Sequence, residues 1–268
     1  MGQTGAGGGA PARDRVALAG VLVDRVDHAT AVAAIRGFIA DGGRHQIVTV
    51  NTDFIRRARQ DAGFRDVLNR ADLAVADGMP LVWLSRLVGA PLPTRVAGID
   101  LIEECCGAAA LEGVGVFLLG AAPGVAEAAG RVLAAHHAGL RIVGTYSPPF
   151  GSHSAEEDRR MVAAIRAAGR CILLVAFGAP RQDQFIARHL IDIDIAVGMG
   201  VGCAFDILSG GVRRAPRWMQ RCGLEWAWRL AQEPRRLWRR YLIEDMPLLG
   251  TLVLDAVRAG RRTDVDAR

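Results

Sequence analysis

Short, almost unbroken apolar runs recur along this chain, separated by longer stretches with helical spacing. The runs are Gln46–Val50, Leu73–Ala76, Val114–Leu119, Leu140–Gly144, Cys171–Phe177 and Ile195–Gly198. Each is apolar at nearly every position, as strands covered on both faces are. Helices are expected between them, for example over His28–Ala40, Gly98–Leu111, Gly124–Ala135, Ala155–Ala168 and Arg181–His189. Strands alternating with helices predict an α/β fold: a mostly parallel, Rossmann-like sheet with helices on both faces. Residues 16–24, turning at Gly20, predict an added hairpin at the sheet edge.

The pattern changes past Val212. From Val212 to Tyr241 there are nine arginines and two glutamates, a net of +7, while the whole chain carries only +5. Trp218, Trp226, Trp228 and Trp238 lie in the same stretch, four of the chain's five tryptophans. Two helices separated near Pro234 fit it, and a further apolar, helix-like piece follows from Asp245 before a charged tail. Three regions are therefore expected: a Gly-rich flexible tail over 1–15, an α/β catalytic domain over 16–211, and an Arg/Trp-rich helical appendage over 212–268. Basic charge with interfacial tryptophan suits a surface helix on anionic lipid. The alternatives are single-stranded nucleic acid, for which no recognised module is present, and a helix that packs through tryptophan in the core or in a homo-oligomer.

Composition narrows the chemistry. The chain has no lysine, so every phosphate clamp must use arginine, backbone amides or hydroxyls. The cysteines Cys105, Cys106, Cys171, Cys203 and Cys222 are odd in number and form no C-x-x-C pair, which reads as reduced thiols. The six histidines are scattered, so no structural zinc site and no cofactor are expected. No signal peptide is visible, and no apolar run approaches the ~20 residues of a membrane span. A soluble or peripheral protein is expected.

Ligands of open parallel sheets bind at the carboxyl ends of the strands. After Gln46–Val50, Thr49 and Asn51 offer hydrogen bonds to a ligand; equally, the segment Asn51-Thr52-Asp53 can cap a helix, through Thr52 or Asp53. After Leu73–Ala76, Asp77-Gly78-Met79-Pro80 makes a tight turn that either projects the Asp77 carboxylate or caps the helix that Pro80 opens. Arg95 stands alone before a helix with Asp100 in its first turn. Gly120 begins a Gly-rich turn that can seat a phosphate or sugar on backbone amides, although it is not G-x-G-x-x-G. Gly178 in Gly-Ala-Pro allows close approach of a ligand, Gln182 offers both donor and acceptor groups, and Gly200 and Gly202 give another bare stretch of backbone. Asp192-Ile193-Asp194 has the form of a metal–nucleotide D-x-D motif, but it precedes a strand and so belongs at the amino end of the sheet. Asp264-Val265-Asp266 is read likewise as a solvated turn.

Taken together, T-V-N-T-D (49–53), A-D-G-M-P (76–80), R-V-A-G-I-D (95–100), F-L-L-G (117–120), F-G-A-P-R-Q-D (177–183), V-G-x-x-F-D (201–206), R-A-P (214–216), L-E-W-A-W-R-L (224–230) and E-P-x-R (233–236) resemble the WecG/TagA/CpsF glycosyltransferases, over roughly Val16 to Tyr241. The resemblance implies transfer of a hexose or N-acetylhexosamine from a UDP-sugar to a polyprenyl-diphosphate-linked saccharide, with inversion and without a metal. It implies Asp77 as the base, with Thr49, Asn51, Arg95 and Gln182 as further site positions. It also implies a C-terminal appendage that docks on the membrane and closes the site. One departure is Asp183, where the family more often has Glu. Among the arginines, Arg95, Arg214, Arg236 and Arg239 are expected near the leaving diphosphate. The expected place is peripheral, on the cytoplasmic face of the cell membrane. The competing reading is a non-catalytic Rossmann-like protein that binds a nucleotide or lipid as a regulator.

Overall fold

Six parallel strands form the sheet, in the order β4-β3-β8-β7-β5-β6. The computed structural model describes residues 13–149, 151 and 154–254. The strands are β3 (His45–Val50), β4 (Leu73–Ala76), β5 (Gly115–Gly120), β6 (Ile142–Tyr146), β7 (Cys171–Ala176) and β8 (Ile195–Gly200). Helices α1 (His28–Ala40), α2 (Thr52–Gln60), α3 (Ala62–Arg70), α4 (Met79–Leu87), α5 (Gly98–Glu112), α6 (Val125–His136), α7 (Ala155–Ala167), α8 (Arg181–His189) and α9 (Ala204–Leu208) connect and follow them. This is the α/β architecture that the alternating pattern predicts.

Successive strand residues point to opposite faces, and both faces are covered. Ile47, Val75, Val116, Ile172 and Val197 pack with α1, α5 and α6. On the other side Val48, Val50 and Ala74 pack with α2, α3 and α4, and Leu173 and Ile195 with α7 and α8. Burial on both faces is why the strands read as continuous apolar runs. Helix α2 lies under β3 on one face and α9 follows β8 on the other, so the chain parts between these neighbouring strands. Such a parting opens a crevice along the carboxyl edge.

The hairpin differs from expectation. β1 (Arg15–Leu18) and β2 (Val21–Asp24) pair only with each other and form a separate two-stranded sheet. The buried Asp24 explains the arrangement: its carboxylate accepts from the Ala74 amide at 2.7 Å. A side chain thus satisfies a donor on the outer edge strand β4, and no further strand joins there. Arg15 opens β1, and its guanidinium reaches Asp24 at 2.9 Å and the Ala71 carbonyl at 2.7 Å. Residues 1–12 and the Asp264–Asp266 turn lie outside the described residues.

The C-terminal region is helical: α10 (Arg217–Arg221), α11 (Glu225–Gln232) and α12 (Pro234–Trp238). The break at Pro234 is as expected. From Pro234 the chain then runs on as one helix, through a π-helical stretch Arg239–Asp245 and on to residue 254. No helix among the described residues is long and apolar enough to cross a membrane. The region folds back on the sheet domain. Gly223 lies so close to α4 that a side chain there would come within 2.8 Å of Met79 and 3.1 Å of Trp83.

Candidate functional site

The carboxyl edge brings three acids and two arginines together. The Asp77 amide donates to the Val50 carbonyl at 2.7 Å, which ties the turn after β4 to the end of β3. The Val96 amide donates to the Ala76 carbonyl at 2.9 Å and lays the Arg95 loop across the same strand end. Helix α5 then begins with Gly98, where a side chain would press on its neighbours. A Cβ there would stand 3.0 Å from Thr49 Cγ2 and 3.3 Å from Asp77 Oδ2.

Electrostatics follow from this crowding. Burial pushes the Asp77 pKa up to about 6, and the carboxylates of Glu225 and Asp100 add to the rise. Arg95 and the Gly98 amide oppose it. Arg95 Nη1 donates to Glu225 Oε2 at 2.6 Å, and Arg214 Nη1 to Asp100 Oδ1 at 2.6 Å. The Nε and Nη2 of Arg214 are buried with no protein partner, so two strong donors remain for an anion.

Other expected residues hold the loops rather than face the cluster. Asn51 itself caps α2, through Oδ1 accepting from the Phe54 amide at 3.3 Å; the cap is neither Thr52 nor Asp53. Gln182 is buried, and its Oε1 accepts from both the Gly178 and Gly202 amides at 3.0 Å. One side-chain oxygen thus staples the loop after β7 to the loop after β8. Gly200 is bare because Gln182 fills the space a side chain would need: an added Cβ would lie 2.7 Å from Gln182 Cδ. At Gly120 (φ +102°) a Cβ would meet the Ala176 carbonyl at 2.7 Å, so that glycine serves strand packing and its own backbone turn. Arg236 and Arg239 are exposed and pair with Glu233 and Glu244 of their own segment, away from the Asp77 cluster. Asp192 and Asp194 precede β8, at the amino end of the sheet, where Asp194 pairs with Arg170 at 3.0 Å. Among the described residues no three His, Cys, Asp or Glu side chains converge as a metal site.

The sequence pattern gave no role to Glu225 or to Arg229, which donates to Cys203 Sγ at 2.9 Å beside the β8 loop. Both stand in L-E-W-A-W-R-L, where they merge into a basic run. Neither charge counting nor periodicity separates an inward side chain from its outward neighbours. Asp183 is sealed in, and burial pushes it up to about 7 against the opposing pull of its own amide and the Gln182 side chain.

Comparison with known proteins decides the family. Residues 16–262 match the model of the glycosyl transferase WecG/TagA/CpsF family. The chain belongs to that family. Two relatives share the name N-acetylglucosaminyldiphosphoundecaprenol N-acetyl-beta-D-mannosaminyltransferase. One, from Bacillus subtilis (strain 168), is 36% identical over 197 residues, 73% of this chain and 74% of the relative. The other, from Bacillus spizizenii (strain ATCC 23059 / NRRL B-14472 / W23), is 36% identical over 217 residues, 81% of each. Of the nine segments that resembled the family, 76–80, 95–100, 214–216 and 224–230 supply the charged groups around Asp77, and 49–53 adjoins them through Thr49.

Proposed function

We propose that this protein is an inverting glycosyltransferase that moves a sugar of the N-acetylmannosamine type from a UDP donor to a polyprenyl-diphosphate-linked saccharide. The observation that carries this reading is the recessed Asp77 carboxylate, raised to about 6, beside Arg95 and the half-free Arg214. A group of that pKa is ionised at neutral pH yet still basic enough to accept a proton from an attacking hydroxyl. In a single displacement the acceptor hydroxyl attacks the anomeric carbon, Asp77 takes its proton, and the bond to the UDP oxygen breaks on the opposite side. Negative charge then grows on the leaving diphosphate. Arg95 and the open edge of Arg214 are the cations suited to stabilise it. The activity for which the two Bacillus relatives are named supports the acceptor class.

The test is incubation with UDP-N-acetylmannosamine and an N-acetylglucosaminyl-diphospho-polyprenol, with the product read by mass and anomeric configuration. One added sugar of inverted configuration is expected, with the rate unchanged by EDTA. Donor binding without turnover of any lipid-diphosphate acceptor would favour the regulatory binding protein. Loss in EDTA restored by Mn²⁺ would overturn metal independence.

The acceptor's lipid implies a membrane, and the outer face of the C-terminal region suits one. Arg217, Arg221, Arg235, Arg236 and Arg239 are exposed there, together with Trp218, Trp238, Leu242, Ile243 and Met246. Cationic side chains beside exposed tryptophan fit an anionic lipid surface on the cytoplasmic side. Co-sedimentation with phosphatidylglycerol vesicles is expected, weaker with phosphatidylcholine and falling as salt rises. A Trp218→Ala/Trp238→Ala variant that sediments like wild type would remove these tryptophans from the contact.

A further inference from the structure

Glu225 lies 130 residues from Arg95 in the chain, yet the two meet at 2.6 Å in a half-buried, charge-assisted hydrogen bond. An acid at the first position of α11 already has an ordinary use, since it complements the helix dipole. An unpaired guanidinium nearby is not needed for that, nor is a partner on the far side of the sheet domain. The N-cap of α11 is Leu224, and the Glu225 carboxylate in the first turn is engaged by Arg95.

The surroundings define what this contact does. Four charged groups face Asp77: Arg95 from the loop before α5, Asp100 from α5, Arg214 from the loop before α10, and Glu225 from α11. Asp100 engages Arg214 and Glu225 engages Arg95, so each arginine has one edge already held by an acid that is not Asp77. Arg95 is the cation that acts most strongly on Asp77, and without Glu225 its hold away from that carboxylate is lost. A guanidinium that turns onto the base both occupies its lone pairs and leaves the diphosphate position.

We propose that Glu225 is a positioning residue of the transfer reaction: it grips one edge of Arg95, keeps that guanidinium from collapsing onto Asp77, and leaves its other edge for the donor. This rests on the reading of Asp77 as the base. The C-terminal region thereby contributes a carboxylate to the site as well as arginines. It sets the proton affinity of Asp77 in two ways, by its own negative charge and by restraining the positive charge next to it. Both act in the same direction, and both are lost together when the carboxylate is removed.

The experiment is a comparison of Glu225→Gln, Glu225→Asp, Arg95→Gln and Glu225→Gln/Arg95→Gln in the full chain. It reads kcat and the donor KM across pH, with circular dichroism as the control for folding. Glu225→Gln is expected to lower kcat by on the order of 10²-fold, the loss typical of a mispositioned group. It is also expected to move the acidic limb of kcat/KM to lower pH, because Asp77 loses an anion and gains a closer cation. Glu225→Asp should restore the position of the limb and part of kcat. Since Glu225 acts through Arg95, its substitution should cost little further in the Arg95→Gln background. An unmoved limb overturns the proposal. So does a Glu225→Gln loss that persists in full on top of Arg95→Gln, for then the residue only holds α11 in place. If Glu225→Gln does not fold, the limb position in Glu225→Asp against Arg95→Gln still decides. Wild-type transfer by Asp77→Asn is a separate result, one that removes the premise about the base whatever Glu225 does.

Discussion

Asp77→Asn is expected to lower the transfer rate by about 10²–10⁴-fold, the range for removal of a general base. The substitution keeps the side chain's size and one oxygen, so donor binding should change far less than kcat. The pH dependence gives an independent check. Burial holds the Asp77 pKa at about 6, above its ordinary value of 3.8. The wild-type rate is therefore expected to fall as pH drops through about 6, where the base becomes protonated. The sign for stability is the reverse. A carboxyl whose folded pKa is raised costs stability as pH rises through the interval from 3.8 to about 6, because the unfolded chain ionises more easily. Asp77→Asn should consequently unfold no more readily than wild type above that interval, and lost activity could not be blamed on unfolding. Wild-type turnover by the variant, measured as sugar transferred per enzyme, would remove Asp77 from the mechanism.

The architecture was legible because burial on both faces leaves a simple mark, short runs with no polar alternation. The position of Asp77 was legible too: an acid after a strand and before Gly-x-Pro can only stand at a strand's carboxyl end. What periodicity could not show was direction. Gln182 reads as a ligand group at a helix start, yet its oxygen is consumed by two loop amides. Gly200 reads as room for a ligand, yet that room holds Gln182. Among the clustered arginines, the outward Arg236 and Arg239 look no different in sequence from the inward Arg214, Arg229 and Arg240. Which of them turns in depends on partners such as Asp100 and Asp53, more than a hundred residues away. The hairpin was visible as two short strands around Gly20, but its failure to join the sheet depends on one side chain, Asp24, taking the edge amide.

The same inward turning of arginine makes Asp53 the second residue expected to give a large effect, this time on stability. Asp53 lies in the first turn of α2, two residues after the Asn51 cap, and is only 4% exposed. Arg56 reaches it at 2.5 Å, Arg57 at 2.9 Å, and Arg240 of the π-helical stretch at 3.5 Å. Burial alone would raise its pKa, but Arg240, Arg57 and Arg56 together hold it below the ordinary value. Asp245 sits in the same cluster with the opposite balance: burial outweighs its arginines, and it is pushed up to about 6. Asp53→Asn should therefore destabilise the protein by about 3 kcal/mol, the lower end for breaking a buried ion pair, since the arginines keep some contact with solvent. Asp245→Asn should cost little above pH 6, because ionising that group opposes folding. Urea unfolding at neutral pH compares the two, and the Asp53 contribution should disappear as the solution is acidified below its folded pKa. Equal losses from both substitutions would show that shape, rather than charge, joins the C-terminal helix to α2. A selective loss at Asp53 would make this carboxylate the anchor of that helix, three residues beyond the Val50 carbonyl on which the Asp77 turn is hung.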